Sequence, residues 1–259
     1  MGAIDLAKKK IAVFIIAYQA VRTLISAIER IPPEIKKKAE EIYVFDDCSD
    51  DNTYYAGLGY KYKHNIEKLN VYINKKNLGY GGNQKQGYKY AMKKGYDIVV
   101  MLHGDVQYAP EYIPKLIKPL EEGKSDMVFG TRMKDHPIKS GMPVWKYIGN
   151  KLLTWIENAV LGLNLSEYHS GFRAFSCKAL GGVPFERCTN DYSFDTDVII
   201  QFKIKKLRIA EIPIPTHYGP ESHQISFKKS LIYGLNIMRS LLQYKLQRKG
   251  IKKYYKFDF

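Results

Sequence analysis

Residues Val99–Pro110 read VVMLHGDVQYAP, a hydrophobic run that stops abruptly at His103-Gly104-Asp105-Val106-Gln107. Alternate side chains of an extended chain share a face, so His103, Asp105 and Gln107 would point the same way. A carboxylate, an amide oxygen and an imidazole on one face can hold a hard divalent cation, which in turn neutralises a diphosphate. A turn capped by Asp105 explains the same residues, and on their own they leave both readings open. A second cluster, Asp46-Asp47-Cys48-Ser49-Asp50-Asp51-Asn52-Thr53, follows another apolar run. Its Ser and Asp oxygens suit the cap of a following helix. Paired carboxylates at a strand tip can also accept bonds from ribose hydroxyls or a base N–H. The segment NKKNLGYGGNQKQG (Asn74–Gly87) sets Gly79, Gly81 and Gly82 just before a helical pattern. Backbone there could cradle a phosphate, although the spacing matches neither the P-loop nor G-x-G-x-x-G.

The elements that must position these residues have a regular beat. Apolar, β-branched-rich runs at Ile11–Ala17, Ile42–Phe45, Leu69–Ile73, Ile98–Leu102 and Met127–Gly130 alternate with helical spacing at Val21–Ala39, Tyr80–Lys94 and Pro110–Leu120. That is the pattern of successive βαβ units. The runs are apolar throughout, which predicts a parallel sheet covered on both faces. Sites in such sheets lie beyond the carboxyl ends of the strands, and that rule singles out Tyr18-Gln19, Asp46-Asp47, Asn74–Asn77 and His103–Gln107. In the second half, Gly141–Leu163 carries Trp145, Ile148, Leu152, Trp155 and Ala159 at helical spacing. Such a stripe packs on a core or, with two tryptophans, forms a lip over an apolar ligand. Phe194–Lys206 reads as a helix and Leu207–Ile214 as a strand. Leu231, Leu235, Met238 and Leu242 form one stripe flanked by Lys228, Lys229, Arg239, Lys245, Arg248 and Lys249. This predicts a basic amphipathic helix, docked on its own domain or lying on a membrane.

The 259 residues carry a formal net charge of +15 with 45% hydrophobic and 26% charged residues. The charge favours nucleic acid, anionic lipid head groups or phosphorylated substrates as partners. Although there are 21 tyrosines, none sits in an RNA-binding signature, so no nucleic acid is expected. No apolar stretch reaches the roughly 20 residues of a membrane span. The start reads as a first strand rather than a signal peptide. Cys48, Cys177 and Cys188 lack metal-finger or CxxC spacing and fit a reducing cytosol.

Taken together and in order, the motifs resemble those of family 2 glycosyltransferases along nearly the whole chain. IAYQAVRTL resembles the family's PAYNEAxTL start, VFDDCSDDNT its VDDGSxDxT, NKKNLGYGGNQKQG its N-x-G-x-G-x-A-x-x-x-G and HGDVQ its metal motif DxDxQ. GTR (Gly130–Arg132), SGFRAFS (Ser170–Ser176) and AEIPIPTHYGPES (Ala210–Ser222) match later segments. Within the family the likeness is to polyprenyl-phosphate sugar transferases of the dolichol-phosphate mannose or glucose synthase type. The resemblance implies the GT-A fold, a Rossmann-like, mostly parallel sheet with flanking helices, over 1–227, with a basic amphipathic helix and tail over 228–259. It implies an inverting hexosyltransferase using a UDP- or GDP-sugar and Mg2+ or Mn2+. The expected acceptor is a polyprenyl or dolichyl phosphate, reached peripherally at the anionic cytosolic membrane face.

Carried across, Ala17 and Tyr18 would touch the base and Asp46 or Asp47 the base or ribose, with Asn77, Gly79 and Gly104 lining the nucleotide site. Asp105 and Gln107, with His103 beside them, would bind metal, and Arg132 and Arg173 would face phosphate. Asp195 of NDYSFDTD is the candidate general base for a hydroxyl acceptor, with Asp191 or Asp197 behind it. Capping by Asp191 or Ser193 is the structural alternative. Three departures stand out. Gln19-Ala20 replaces Asn-Glu, His103 replaces the first metal Asp, and His217 stands where the family has a late Arg. The absent QxxRW motif argues against polymer synthesis. Competing readings are a hydroxyl acceptor, a sugar-phosphate nucleotidyltransferase (disfavoured by the lack of a Gly/Arg-rich first loop) and a non-catalytic lipid- or nucleotide-binding module.

Overall fold

The computed structural model describes residues 9–216 and 227–259. Its centre is a seven-stranded sheet of order β3-β2-β1-β4-β6-β5-β7. The strands are β1 (Ile11–Ala17), β2 (Glu41–Asp46), β3 (Leu69–Ile73), β4 (Ile98–His103), β5 (Met127–Thr131), β6 (Arg173–Ser176) and β7 (Ile209–Pro213). β1 runs parallel to β2 and β4, β2 to β3, and β5 to β7. Only β6 is reversed, antiparallel to both β4 and β5. The five strands expected in the first half are all present, as is the one before the paired prolines. β6 is a strand that the sequence did not announce. Its four residues, RAFS, are too short for a periodic pattern, and pairing on both sides is what makes them extended.

Residues of opposite parity along the strands feed two cores. Phe14, Tyr43 and Met101 lie on one face, and Val13, Val44 and Leu102 on the other. Helices cover both. The single helical stretch expected over Val21–Ala39 is instead two helices, α1 (Leu24–Glu29) and α2 (Pro33–Lys38). Pro32 and Pro33 supply no amide hydrogen to continue α1, while Pro33 suits the first position of a new helix. α3 (Thr53–Lys63) and α4 (Tyr80–Lys93) follow. A 3-10 turn, Pro110–Tyr112, precedes α5 (Ile113–Glu121). Then come α6 (Val144–Leu161), which ends at the left-handed Gly162, and the short α7 (Cys177–Gly181). α8 (Phe194–Ile204) is buried from Phe194 to Phe202. α9 (Phe227–Arg248) packs on α6 and α8. Ile237, Leu241 and Tyr244 of α9, with Phe257 of the tail, enter the same core as Phe194 and Phe202.

Candidate active-site cleft

A cleft of about 1210 Å³ opens beyond the carboxyl ends of β1, β2 and β4. The chain leaves β1 toward β2 on one side, while β4 lies on the other. This is the crevice where open α/β sheets bind ligands. One wall is polar and made of strand ends; the other is formed by α6 and α9.

The HGDVQ segment is not extended beyond β4. It turns at once, with Val106 at φ 52°, so the expected alternation of side chains does not apply. His103, Asp105 and Gln107 nevertheless all reach the cleft, as does Gly104. Asp105 Oδ1 accepts the Gln107 backbone N–H at 3.1 Å, an Asx-type turn that aims both side chains. His103 lies edge-on between two rings, Tyr80 at 5.7 Å and Tyr108 at 4.9 Å between centroids. Its Nε2 is 3.4 Å from the Tyr80 hydroxyl. Burial lowers its pKa, against the pull of Asp105 and Asp195. Gly171 closes the slot: a Cβ there would stand 2.3 Å from His103 Nε2 and 2.5 Å from the Tyr80 hydroxyl. Its N–H donates to the Tyr108 hydroxyl at 2.9 Å. The Nε2 side of His103 is thus enclosed by Tyr80 and Gly171. No group of three His, Cys, Asp or Glu among the described residues is arranged to hold a metal.

The carboxylates after β2 divide. Asp47 lines the cleft; Asp46 does not, being fully buried under hydrogen bonds from the Ser49 N–H and hydroxyl. Burial raises the Asp46 pKa, and the Ser49 bonds oppose it. Ala17 is likewise absent from the cleft wall, whereas Tyr18 lines it at 44% exposure. Of the residues expected to touch the nucleoside, Tyr18 and Asp47 thus line the cleft, and Ala17 and Asp46 do not. Asp47 already accepts N–H bonds from Leu78 and Gly79, both at 2.9 Å, and one from Asn74 Nδ2 at 2.9 Å. The Gly81 and Gly82 amides donate to the Asn190 carbonyl at 2.8 and 3.3 Å. The Leu78, Gly79, Gly81 and Gly82 amides are thus taken by Asp47 and Asn190, so the glycines do not present them as the phosphate cradle the sequence suggested. Gly81 is needed for approach instead: a Cβ would lie 2.6 Å from the Thr189 carbonyl oxygen. Asn77 and Gly79 remain on the cleft wall.

The two arginines also separate. Arg132 lines the cleft and is paired with the fully buried Glu167 through Nε at 2.7 Å and through Nη2. Asn150 of α6 adds a bond to Glu167 at 2.9 Å. Burial raises the Glu167 carboxyl, but Arg132 outweighs it and holds the group below its ordinary value. Arg173, expected to face phosphate, lies beneath the wall and is only 1% exposed. Its guanidinium donates to the carbonyls of Ser170, Tyr168 and Asp195 at 2.8, 2.6 and 3.1 Å. This anchors a loop and keeps the guanidinium off the cleft wall. Asp195 does reach the cleft, with Tyr80 Oη at 3.0 Å, Gln84 Nε2 at 3.3 Å and Arg173 Nε at 3.5 Å around its carboxylate. Asp191 accepts the Ser193 N–H, while Asp197 is paired with Lys256. His217, with the rest of 217–222, lies outside the described residues.

Several cleft residues gave no sequence signal as site residues. Tyr80, Tyr108, Lys146 and His169 line it, and Glu167 holds Arg132 from behind. Burial, with Arg132 nearby and Glu167 opposing, brings the Lys146 amine down to about 8.

The helical wall decides against the first reading of its stripe, packing on the core. The stripe of Trp145, Ile148, Leu152 and Trp155 points outward, while α6 buries Asn150, Thr154, Glu157 and Leu161. On α9, Leu231, Leu235, Met238 and Leu242 are exposed too. Trp145, Leu152, Leu231 and Leu235 also line the cleft, so the apolar face continues into it. No described helix is long and apolar enough to cross a membrane.

A family model described as Glycosyl transferase family 2 matches residues 12–182. The UDP-N-acetylglucosamine–dolichyl-phosphate N-acetylglucosaminyltransferase of Methanococcus voltae is 30% identical over 251 residues, 93% of this chain and 98% of the relative. The undecaprenyl-phosphate mannosyltransferase of Micrococcus luteus is 24% identical over 79% of this chain and 82% of its own. Among solved structures, glucosyl-3-phosphoglycerate synthase from Mycobacterium tuberculosis, in complex with Mn2+, UDP and glucosyl-3-phosphoglycerate, superposes with a TM-score of 0.67. It is 20% identical and covers 95% of this chain and 82% of that one.

Proposed function

This chain belongs to glycosyl transferase family 2, and from that premise we propose that it moves a hexose from a UDP- or GDP-sugar to a polyprenyl phosphate at the cytosolic membrane face. The observation that carries the reading is the continuity of the cleft with the exposed apolar face of α6 and α9. A soluble acceptor has no use for that face, whereas a long isoprenoid chain and the membrane holding it do. Lys228, Lys229, Arg239, Lys245 and Arg248 on α9 suit an anionic surface. The relatives from M. voltae and M. luteus, named for dolichyl- and undecaprenyl-phosphate acceptors, support the same class.

In this reading Tyr18 and Asp47 take the nucleoside, and Asp105 with Gln107 faces its diphosphate. One carboxylate and one amide oxygen are too few ligands to hold a cation alone. They fit Mg2+ or Mn2+ shared with a diphosphate, the way Mg2+ is commonly bound. Bound there, the cation would neutralise charge developing on the leaving diphosphate. Arg132 and Lys146 supply positive charge on the acceptor side, with Glu167 fixing the arginine. An acceptor phosphate oxygen attacks the anomeric carbon as the bond to the diphosphate oxygen breaks, with inversion. The phosphate is already ionised, so no proton needs to be removed. Asp195, surrounded by Tyr80, Gln84 and Arg173, then orients the reacting groups instead of acting as a base.

The test incubates the protein with radiolabelled UDP-N-acetylglucosamine, UDP-glucose or GDP-mannose, polyprenyl phosphate and Mg2+ or Mn2+. Label should enter the organic phase only when lipid phosphate is present. Transfer confined to water-soluble hydroxyl acceptors would refute the lipid assignment.

A further inference from the structure

At the junction of the two walls stands Tyr192, 43% exposed although it lines the cleft. Its ring is backed by Tyr80, stacked at 5.0 Å between centroids and 30° between planes. Tyr233 of α9 meets it edge-on at 6.3 Å and 78°. Tyr80 is itself tied to Asp195 at 3.0 Å, so the Tyr192 ring rests on an anchored neighbour. Tyr80 in turn meets the His103 ring at 5.7 Å between centroids, two residues before Asp105, so the stack of rings leads toward the carboxylate that faces the diphosphate. The residue thus spans the interval from the diphosphate end of the cleft to α9. Whatever bridges leaving group and acceptor during transfer must pass along that interval, and the transferred sugar is what bridges them.

We propose that Tyr192 is the platform on which the transferred sugar rests, its open ring face packing against pyranose C–H groups. Resting on the donor reading above, this makes Tyr192 a specificity-determining residue that distinguishes a nucleotide sugar from the bare nucleoside diphosphate. Aromatic rings offer large apolar area with a polar tip, which matches a pyranose with C–H groups on its face and hydroxyls at its rim. Aromatic packing of this kind amounts to about a 2- to 10-fold change in affinity.

The test is titration calorimetry with Mg2+, using UDP, UDP-N-acetylglucosamine, UDP-glucose, GDP and GDP-mannose on wild type, Tyr192→Phe, Tyr192→Leu and Tyr192→Ala. Tyr192→Ala and Tyr192→Leu should weaken the preferred nucleotide sugar about 3- to 10-fold while moving its nucleoside diphosphate less than about 2-fold. Tyr192→Phe should retain most of the sugar-dependent affinity. Should the Ala variant fail to fold, the Phe–Leu pair still separates an aromatic face from mere bulk. Equal losses for sugar and diphosphate, or unchanged binding in the Leu variant, would overturn the platform. Wild type that binds none of the five ligands would instead overturn the donor reading.

Discussion

The strand-end wall and the helical wall of the cleft contrast in how fully their own chain satisfies them. On the first, Asp47, Asp105 and Gln107 are 3%, 9% and 8% exposed, and backbone amides hold both carboxylates in place. On the second, Trp145 and Leu235 are 41% and 62% exposed. A preorganised polar wall suits a ligand whose charges must sit at fixed positions while a bond breaks. An uncovered apolar wall suits a partner without fixed shape, such as a lipid chain or a bilayer surface. Single exposed leucines mean little, but a face spread over two packed helices and continuous with a cleft is the kind of surface that binds a partner.

Breaking the polar wall should have the largest effect. Asp105→Ala should lower the transfer rate by on the order of 100-fold or more, the scale of losing a charge-stabilising group. Initial-rate assays on folded protein check this; a loss under about threefold would remove Asp105 from the site. Next comes the apolar face, away from the reacting groups. Trp155→Ser with Leu242→Ser, two side chains 68% and 57% exposed, should weaken binding to anionic vesicles about tenfold or more. Thermal stability should stay nearly unchanged, because neither residue is in the core. Co-sedimentation reads the first and a melting curve the second, and a destabilised double variant would mean the face is structural.

Asp47→Ala probes how the polar wall is built. It strips acceptors from the Leu78 and Gly79 amides and should cost about 1–3 kcal/mol in a denaturant titration. A neutral result would show that the loop does not depend on this carboxylate. The smallest effect is a pH step. With its amine at about 8, Lys146 is charged below that pH and neutral above it. Acceptor KM should therefore rise as pH climbs through 8, and Lys146→Arg should abolish the step. Because the folded-state value lies below the unfolded one, stability itself should increase slightly above pH 8 as a buried charge is relieved. A flat KM profile from pH 7 to 9.5 would remove Lys146 from acceptor binding.

The polar wall was legible in the sequence because strand ends are marked locally. Ile11–Ala17 and Leu69–Ile73 are bounded as their apolar runs predict, and Asp47, Asp105, Gln107 and Asp195 reach the cleft. What was missed depends on contacts distant in sequence. The resemblance of SGFRAFS to the family implies a phosphate ligand at Arg173, and only the carbonyls of Tyr168, Ser170 and Asp195 reveal its anchoring bonds. Glu167 and Arg132 pair across 35 residues, a separation that no periodicity encodes. The stripes of α6 and α9 show the limit most clearly. Helical spacing identifies an apolar face but not whether protein or lipid covers it. Here the polar-looking side of α6, with Asn150, Thr154 and Glu157, is the buried one, because Glu167 and Thr196 give it hydrogen-bond partners.

The division of labour between the walls is tested most directly by varying acceptor length at fixed saturating donor. With isoprenyl phosphates of increasing chain length, kcat/KM for the acceptor should climb steadily while donor KM stays constant, and Leu235→Ser on the cleft's apolar wall should flatten the climb. A kcat/KM that is independent of chain length in the wild-type protein would contradict a lipid-binding helical wall.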